Sequence, residues 1–230
     1  MKTYKIHFIR HGMTKANIDG IYNGKSDIPL CDEGIEEIRE YTESGDYPQV
    51  QMVYTSPLQR AVETSEIIYP DTFTQIVDEL SEFDFGDFEG KTPEELMGNP
   101  DYADWVSIMN TKGAPGGETS ENFMERISDA LEIIVDNMMS GGITNAAVIT
   151  HGGVITTLLS KYAFPKRGIN EWLVDPGKGY TVLIHSAYWE RGNVMELYDK
   201  IPSIHGEIEY FDDDAYLDYA ESLLDDDEYM

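Results

Sequence analysis

The chain is short of cysteine, of basic residues and of long apolar runs, and each shortage narrows what it can be. A single cysteine in 230 residues, Cys31, excludes an internal disulfide framework and makes the cytoplasm the expected compartment. Nowhere do apolar residues continue for the ~20 positions that cross a bilayer, so no membrane-spanning helix is expected. Met1 to Tyr4 lead directly into a strand pattern, and no signal peptide is expected. Lysine and arginine number 16 against 44 aspartates and glutamates, a formal net charge of -28. Nucleic acid and anionic membrane both need a basic surface, so neither is expected as a partner. An anion site in this chain has to be made locally, by arginines and backbone N–H groups that overcome a repulsive far field.

Eleven of the carboxylates fall between Glu207 and Glu228, a stretch without lysine or arginine. Residues 203–230 therefore read as an acidic tail, separate from a single domain at 1–202 that is long enough to bury a sizeable core. Within the tail Tyr216, Leu217, Ala220, Leu223 and Leu224 recur at helical spacing, which predicts an amphipathic helix with an acidic opposite face. Such a helix suits docking on its own domain, a homodimer contact or a partner contact, and the sequence does not choose.

What is present in the domain is an alternation of short apolar strands with amphipathic helices, the pattern of an α/β fold with a doubly wound, mostly parallel sheet and helices on both faces. Strands are predicted at about 3–10, 51–55, 73–77 and 145–150. Helices are predicted from Asp32 to about Ser44, from Ser56 (as N-cap, with Pro57 in the first turn) to before Pro70, after Thr119 through Met138, and after His151 to about Tyr162. Tyr180 to Tyr188 and Val194 to Tyr198 read as a hairpin joined by a turn at Glu190-Arg191-Gly192-Asn193. Residues 81–118, punctuated by glycine and proline with aromatics between, read as an inserted lid with short helices.

Two of the strands end alike. Lys5-Ile6-His7-Phe8-Ile9-Arg10 runs into His11-Gly12, and Ala146-Ala147-Val148-Ile149-Thr150 runs into His151-Gly152-Gly153. Ligands of α/β sheets bind at the carboxyl ends of strands, so the two histidines point to one anion-binding crevice built from distant parts of the chain.

The Arg-His-Gly-x-Thr-x-x-Asn at residues 10–17 resembles the signature of the histidine phosphatase superfamily, the phosphoglycerate mutase-like proteins. Further segments agree in the family's order. Gly24-Lys25-Ser26-Asp27-Ile28-Pro29-Leu30 resembles its Gly-x-x-Asp-x-Pro-Leu loop, and residues 56–64 resemble its Ser-x-x-x-Arg-Ala-x-x-Thr segment. Leu80-Ser81-Glu82 with Gly86-Asp87-Phe88-Glu89-Gly90 resembles Leu-x-Glu…Gly-x-x-Glu-Gly, and Pro115-Gly116-Gly117-Glu118-Thr119 and Thr150-His151-Gly152-Gly153 complete the set.

The resemblance implies a phosphoglycerate mutase-like fold and phosphoryl transfer through a phosphohistidine on His11, and chemistry agrees, because a neutral imidazole is a good nucleophile that splits one hard displacement into two easier ones. Arg10 and Arg60 are the candidates to neutralise the equatorial oxygens, since a guanidinium fork matches two of them at once. His151 serves as cation or donor to the same oxygens. Asn17, Thr14 and the N–H of Gly152 at a helix start are further phosphate contacts. By resemblance Asn23 and Gly24 lie at the pocket mouth as substrate- or phosphate-binding positions, with Lys25 beside them. Glu82 takes the role of general acid by resemblance, from a stretch that also offers Asp78, Glu79, Asp84, Asp87 and Glu89. The mechanism requires no metal or cofactor, and His7, His185 and His205 lack ligand-like spacing.

Mutases of this type carry a longer lid rich in arginine and lysine that holds a second phosphate. Residues 91–118 contain only Lys91 and Lys112, with no arginine. Hydrolysis of a small phosphomonoester is therefore expected. A phosphoglycerate mutase is the alternative, and a phospholigand-binding or regulatory domain without turnover is the alternative from another class. Branch members act on α-ribazole phosphate and on sugar phosphates. Phe83, Phe85, Phe88, Tyr102 and Trp105 could stack on such a substrate or form the core of the lid.

Overall fold

The computed structural model describes residues 2–107 and 112–202, and the tail predicted at 203–230 lies outside the described residues. Seven strands form one sheet: β1 (Thr3–Arg10), β2 (Met52–Thr55), β3 (Thr74–Ile76), β4 (Asn145–Thr150), β5 (Ala163–Phe164), β6 (Gly179–His185) and β7 (Met195–Ile201). Their order is β3-β2-β4-β1-β6-β7-β5, and β6 alone runs against the others. The sheet is thus mostly parallel, as expected. Register does the work of assembly: Arg10 pairs with Thr150 and Thr55 with Ile149, so His11, His151 and Ser56 leave the sheet as neighbours at its carboxyl edge.

Helices cover both faces: α1 (Lys15–Asp19), α2 (Asp32–Ser44), α3 (Gln59–Ile68), α4 (Pro93–Leu96), α5 (Pro100–Ser107), α6 (Ser120–Gly141), α7 (Gly152–Tyr162) and α8 (Ser186–Gly192). Side chains alternate across a strand, so one sheet makes two cores. Ile6, Phe8, Tyr54 and Val148 pack with α6 residues such as Ile127, Leu131 and Ile134 and with α7 residues such as Ile155 and Leu158. Ile9, Val53, Ala147 and Ile149 pack on the other face with Ile38 of α2 and Ala61 and Ile68 of α3. Burial on both faces explains why these strands read as continuous apolar runs. Among the described residues no helix is long and apolar enough to cross a membrane.

The lid carries α4 and α5 and has its own small core of Phe88, Leu96, Trp105 and Ala114, with Tyr22, Phe85 and Tyr102 against it. Tyr102 stacks on Trp105 at 5.8 Å between ring centroids, and its hydroxyl lies 2.9 Å from that of Tyr22. Phe83 belongs to the main core instead. These aromatics hold the lid together and to the domain, in line with the lid-core reading of them.

Two local expectations are corrected. Helix α3 begins at Gln59 rather than at Ser56-Pro57, and its N-cap position, Leu58, has no capping side chain. The Ser56 hydroxyl is engaged by His151, and the free N–H of Gln59 is taken by Asp27 Oδ1 at 2.7 Å, from a loop 32 residues away in sequence. The strands at 179–185 and 195–201 do pair antiparallel, but α8 joins them in place of a turn. Gly192-Asn193 is a helix stop here: Asn193 is left-handed (φ 53°), and its N–H closes on the Trp189 carbonyl. Burying Trp189 at 5% exposure favours winding the residues that carry it. The two-residue edge strand β5 beyond β7 has no sequence signal at all.

His7 is buried inside the sheet, with Nε2 2.7 Å from Asn145 Oδ1 and Nδ1 2.9 Å from Thr181 Oγ1, a pattern that suits the neutral ring with its proton on Nε2. Burial lowers its pKa to about 4, against the opposing effect of the Asn145 bond and helped by the charge of Lys5. The unfolded chain then binds this proton first. The stability His7 contributes is complete above about pH 6.5, falls as pH drops toward about 4 and is flat below, a change on the order of 3 kcal/mol. Denaturant titrations at intervals across that window are expected to show a shallower acid loss for His7→Gln than for the parent; equal slopes would exclude His7 as the source.

Candidate active site

His11 follows the last residue of β1 and is 5% exposed. Its Nδ1 lies 2.6 Å from the Gly12 carbonyl, which can only accept, so the proton sits on Nδ1 and the Nε2 lone pair is bare. Burial, then the charges of Arg60 and Arg10, push its pKa well below the ordinary histidine value, and the ring stays neutral. His151, with no exposure, caps the start of α7, its ring centroid 5.2 Å from that of His11. Burial comes first again in lowering its pKa, followed by His11, Arg60 and Arg10. Its Nε2 meets Ser56 Oγ at 2.8 Å, whereas its Nδ1 is buried without a protein partner.

The two arginines are placed by backbone carbonyls. Arg60, second residue of α3 and fully buried, donates Nη2–H to Gly24 O at 2.7 Å and Nη1–H to Ser26 O at 2.9 Å. Arg10 donates Nη1–H to Val174 O at 2.8 Å. For both, burial lowers the pKa most, and the charge of Glu82 is the strongest opposing effect. The Nε–H of each is buried with no protein partner. Buried donors are almost always satisfied, so Arg10 Nε and Arg60 Nε stand unspent beside the neutral His11, joined by His151 Nδ1 in the tautomer whose Nε2 accepts from Ser56 Oγ. Such an arrangement has the chemistry to receive a tetrahedral oxyanion.

Glu82 lies at the edge of this group. Its Oε1 accepts from Phe83 N–H at 2.8 Å and its Oε2 from Gly153 N–H at 2.9 Å, which leaves a second lone pair on each oxygen. A Cβ at Gly153 would meet this carboxylate and displace it, so glycine there keeps Glu82 in place. Gly152, the first residue of α7, presents its N–H at the positive end of that helix.

The remaining expected phosphate contacts are placed differently. Thr14 is fully buried as N-cap of α1, and its hydroxyl and N–H both donate to Asn17 Oδ1 in a capping box. This leaves Asn17 its Nδ2 as the end outside the cap. Gly24 gives its carbonyl to Arg60 and its N–H to Glu89, so it supports the arginine and has no donor left for an anion. Asn23, with its amide oxygen toward Arg60 Nη1 at 3.3 Å and its nitrogen toward Ser26 O at 3.2 Å, packs beside the same guanidinium. Lys25 is paired with Asp84 at 3.0 Å.

Three residues outside the expected set matter. Ser56 orients His151. Thr64 accepts from Gly12 N–H at 3.0 Å and donates to Arg60 O at 2.6 Å, tying the His11 loop to α3. Glu89 gathers Gly24 N, Lys25 N, Ser26 N and Ser26 Oγ on one carboxylate at 2.7–3.3 Å, and so aims the carbonyls that grip Arg60. Gly24 can lie this close only as glycine, since a Cβ would run into the Phe83 carbonyl. The Gly-x-x-Glu-Gly spacing was a signal for Glu89; its function was not readable from spacing.

Residues 6–196 match the family model described as histidine phosphatase superfamily (branch 1). The chain is 29% identical to the adenosylcobalamin/α-ribazole phosphatase of Escherichia coli K12 over 178 residues, which is 75% of this chain and 86% of that protein. It is 28% identical over 159 residues, 66% of this chain and 73% of the other, to a 2,3-bisphosphoglycerate-dependent phosphoglycerate mutase of Cytophaga hutchinsonii. In three dimensions it resembles the crystal structure of the α-ribazole phosphatase from Shigella flexneri with a TM-score of 0.71 and 25% identity, covering 84% of this chain and 94% of that one.

If Glu89 aims the loop that holds Arg60, its isosteric replacement Glu89→Gln puts an amide donor where Ser26 also donates, and the grip loosens. Calorimetric titration with inorganic phosphate is expected to show roughly tenfold weaker binding, about 1.4 kcal/mol. Unchanged affinity would show that Arg60 holds its place without this carboxylate.

Proposed function

The chain belongs to the histidine phosphatase superfamily, branch 1, and we propose that it is a metal-independent phosphomonoesterase acting on a small phosphate ester. The observation that carries this reading is His11: neutral, its Nδ1 proton committed to Gly12, its Nε2 bare, and ringed by buried donors that the protein leaves unspent.

In the first step the His11 Nε2 lone pair attacks phosphorus while the bond to the ester oxygen breaks. The departing alkoxide takes its proton from Glu82. Charge on the equatorial oxygens is met by Arg10 Nε, Arg60 Nε, the Nδ1–H of His151 and the N–H of Gly152, with Asn17 Nδ2 as a further donor. These groups are fixed before substrate arrives and need no reorganisation. In the second step water attacks phosphorus, Glu82 accepts its proton, and the N–P electron pair returns to Nε2, releasing inorganic phosphate. A neutral His151 is the better partner here, because it donates one N–H without adding a third buried cation beside the arginines.

Hydrolysis fits the surroundings better than isomerisation. A mutase has to hold a second phosphate, and two of the few basic residues near the lid are otherwise engaged: Lys25 pairs with Asp84, and Lys91 Nζ donates to the Asp87 carbonyl. With the lid aromatics spent on packing, recognition of the ester's alcohol portion falls to polar groups around Glu82 and the loop at residues 23–26. We place the enzyme among those acting on small monophosphates.

Phosphate release from a panel of phosphomonoesters that includes 3-phosphoglycerate, measured with chelator present, is expected to proceed for the parent and to fall at least 10³-fold for His11→Ala. Acid-labile, alkali-stable label on the protein from a ³²P-ester is expected only with His11 present. No release from any ester would reject the phosphatase reading, and conversion of 3-phosphoglycerate to its isomer would then separate a mutase from a binding domain.

A further inference from the structure

Glu82 stands on a stretch, residues 79–82, that makes no strand pairing, yet four consecutive carbonyls on it are satisfied. Thr150 Oγ1 donates to Leu80 O at 2.8 Å. Arg126, on the inner side of α6, takes the other three: Nη1 donates to Glu79 O at 2.7 Å and Ser81 O at 2.8 Å, and Nη2 to Glu82 O at 2.9 Å. Its two remaining N–H groups go to one carboxylate, Nε to Glu118 Oε2 at 3.0 Å and Nη2 to Glu118 Oε1 at 2.6 Å. All five donors of the guanidinium are thus used. Glu118 Oε1 also accepts from Asp84 N–H at 2.8 Å, so the pair clamps the chain on both sides of Glu82. The guanidinium lies 4.9 Å over the Phe123 ring, which itself meets Phe83 edge to face at 5.2 Å.

We propose that Arg126, with Glu118 as its counter-ion, is a positioning residue for proton transfer: it sets the path of residues 79–82 and thereby the place of the Glu82 carboxyl against the leaving group. This rests on the reading of Glu82 as the general acid. Arg126 touches no reacting atom in that scheme; it acts through the Glu82 backbone. Only arginine offers five N–H groups in a fixed planar fork, and a lysine could serve at most three acceptors from one point. An arginine with every donor satisfied inside the protein also has none to lend to a phosphate, which separates its role from that of Arg10 and Arg60.

A misplaced acid has a signature that general damage does not. Departure of an alkoxide needs the proton, whereas p-nitrophenolate leaves well without it. Arg126→Lys is therefore expected to lower kcat/KM for glycerol 2-phosphate by roughly 10- to 100-fold while changing p-nitrophenyl phosphate hydrolysis less than about threefold. Glu82→Gln should show the same split more strongly, and the double variant should be no worse than Glu82→Gln alone, because the two residues act as one unit. Calorimetric affinity for inorganic phosphate should stay at the parent value in Arg126→Lys. Should that variant fail to fold, Glu118→Gln, which keeps the arginine, is expected to show the selective loss at smaller size. Equal losses on both esters with Glu82→Gln still selective, or full activity in a folded Arg126→Lys, would overturn the role of Arg126 and leave Glu82 as the acid. Loss of selectivity in Glu82→Gln itself would remove Glu82 as the acid, and this role of Arg126 with it.

Discussion

A fully buried and a half-buried guanidinium beside a neutral imidazole are the constraint around which the molecule is arranged. Placing Arg10 and Arg60 near each other out of bulk water costs solvation and mutual repulsion, and among the described residues no carboxylate is seated directly on either one. Backbone carbonyls of Gly24, Ser26 and Val174 hold them instead. A carbonyl fixes a guanidinium without neutralising it, so the positive field is preserved for an incoming anion. Burial first, and this field after it, lower the pKa of His11 and His151 and keep both rings neutral, as the proposed reaction requires of a nucleophile and a donor.

A chain with a formal charge of -28 makes such a pocket by keeping its carboxylates one layer back. Glu89 gathers the N–H groups of residues 24–26, Asp27 caps α3, Glu63 holds Leu30 N–H, and Glu118 pairs with Arg126. Each works as an acceptor for backbone or for a structural cation, at a remove from the anion receptor. The acid excess therefore builds the loops that place the arginines. Glu82, by contrast, sits at the edge of the His11 group, where the proposed reaction needs a proton carrier.

Much of the site was legible because it is built from strand ends. An apolar strand ending in Arg-His-Gly, another ending in His-Gly-Gly, and a helix with an arginine among apolar neighbours are local patterns, and register then brings them together. The supporting residues were less legible for a physical reason. Ser56 has the right type for a helix cap, and Thr14 and Gly24 have the right types for phosphate contacts, but a hydroxyl or an N–H serves whichever partner the fold brings nearest. Ser56 met His151, Thr14 met Asn17, and Gly24 met Glu89 and Arg60. The lid aromatics were ambiguous in the same way, since a ring suited to stack on a ligand is equally suited to stack on Trp105.

By itself, the amino-acid sequence determined the alternation of strands and helices, the two strand-end histidines and the charge that makes a local anion receptor necessary, because periodicity and composition act over a few residues. Tertiary structure decided what those residues can do. Which donors are left unspent, and that three N–H groups of Arg126 converge on the chain around Glu82 while the other two hold Glu118, depend on residues brought together from far apart in the chain. Hydrogen bonds are satisfied by proximity in space, and sequence distance carries no record of it.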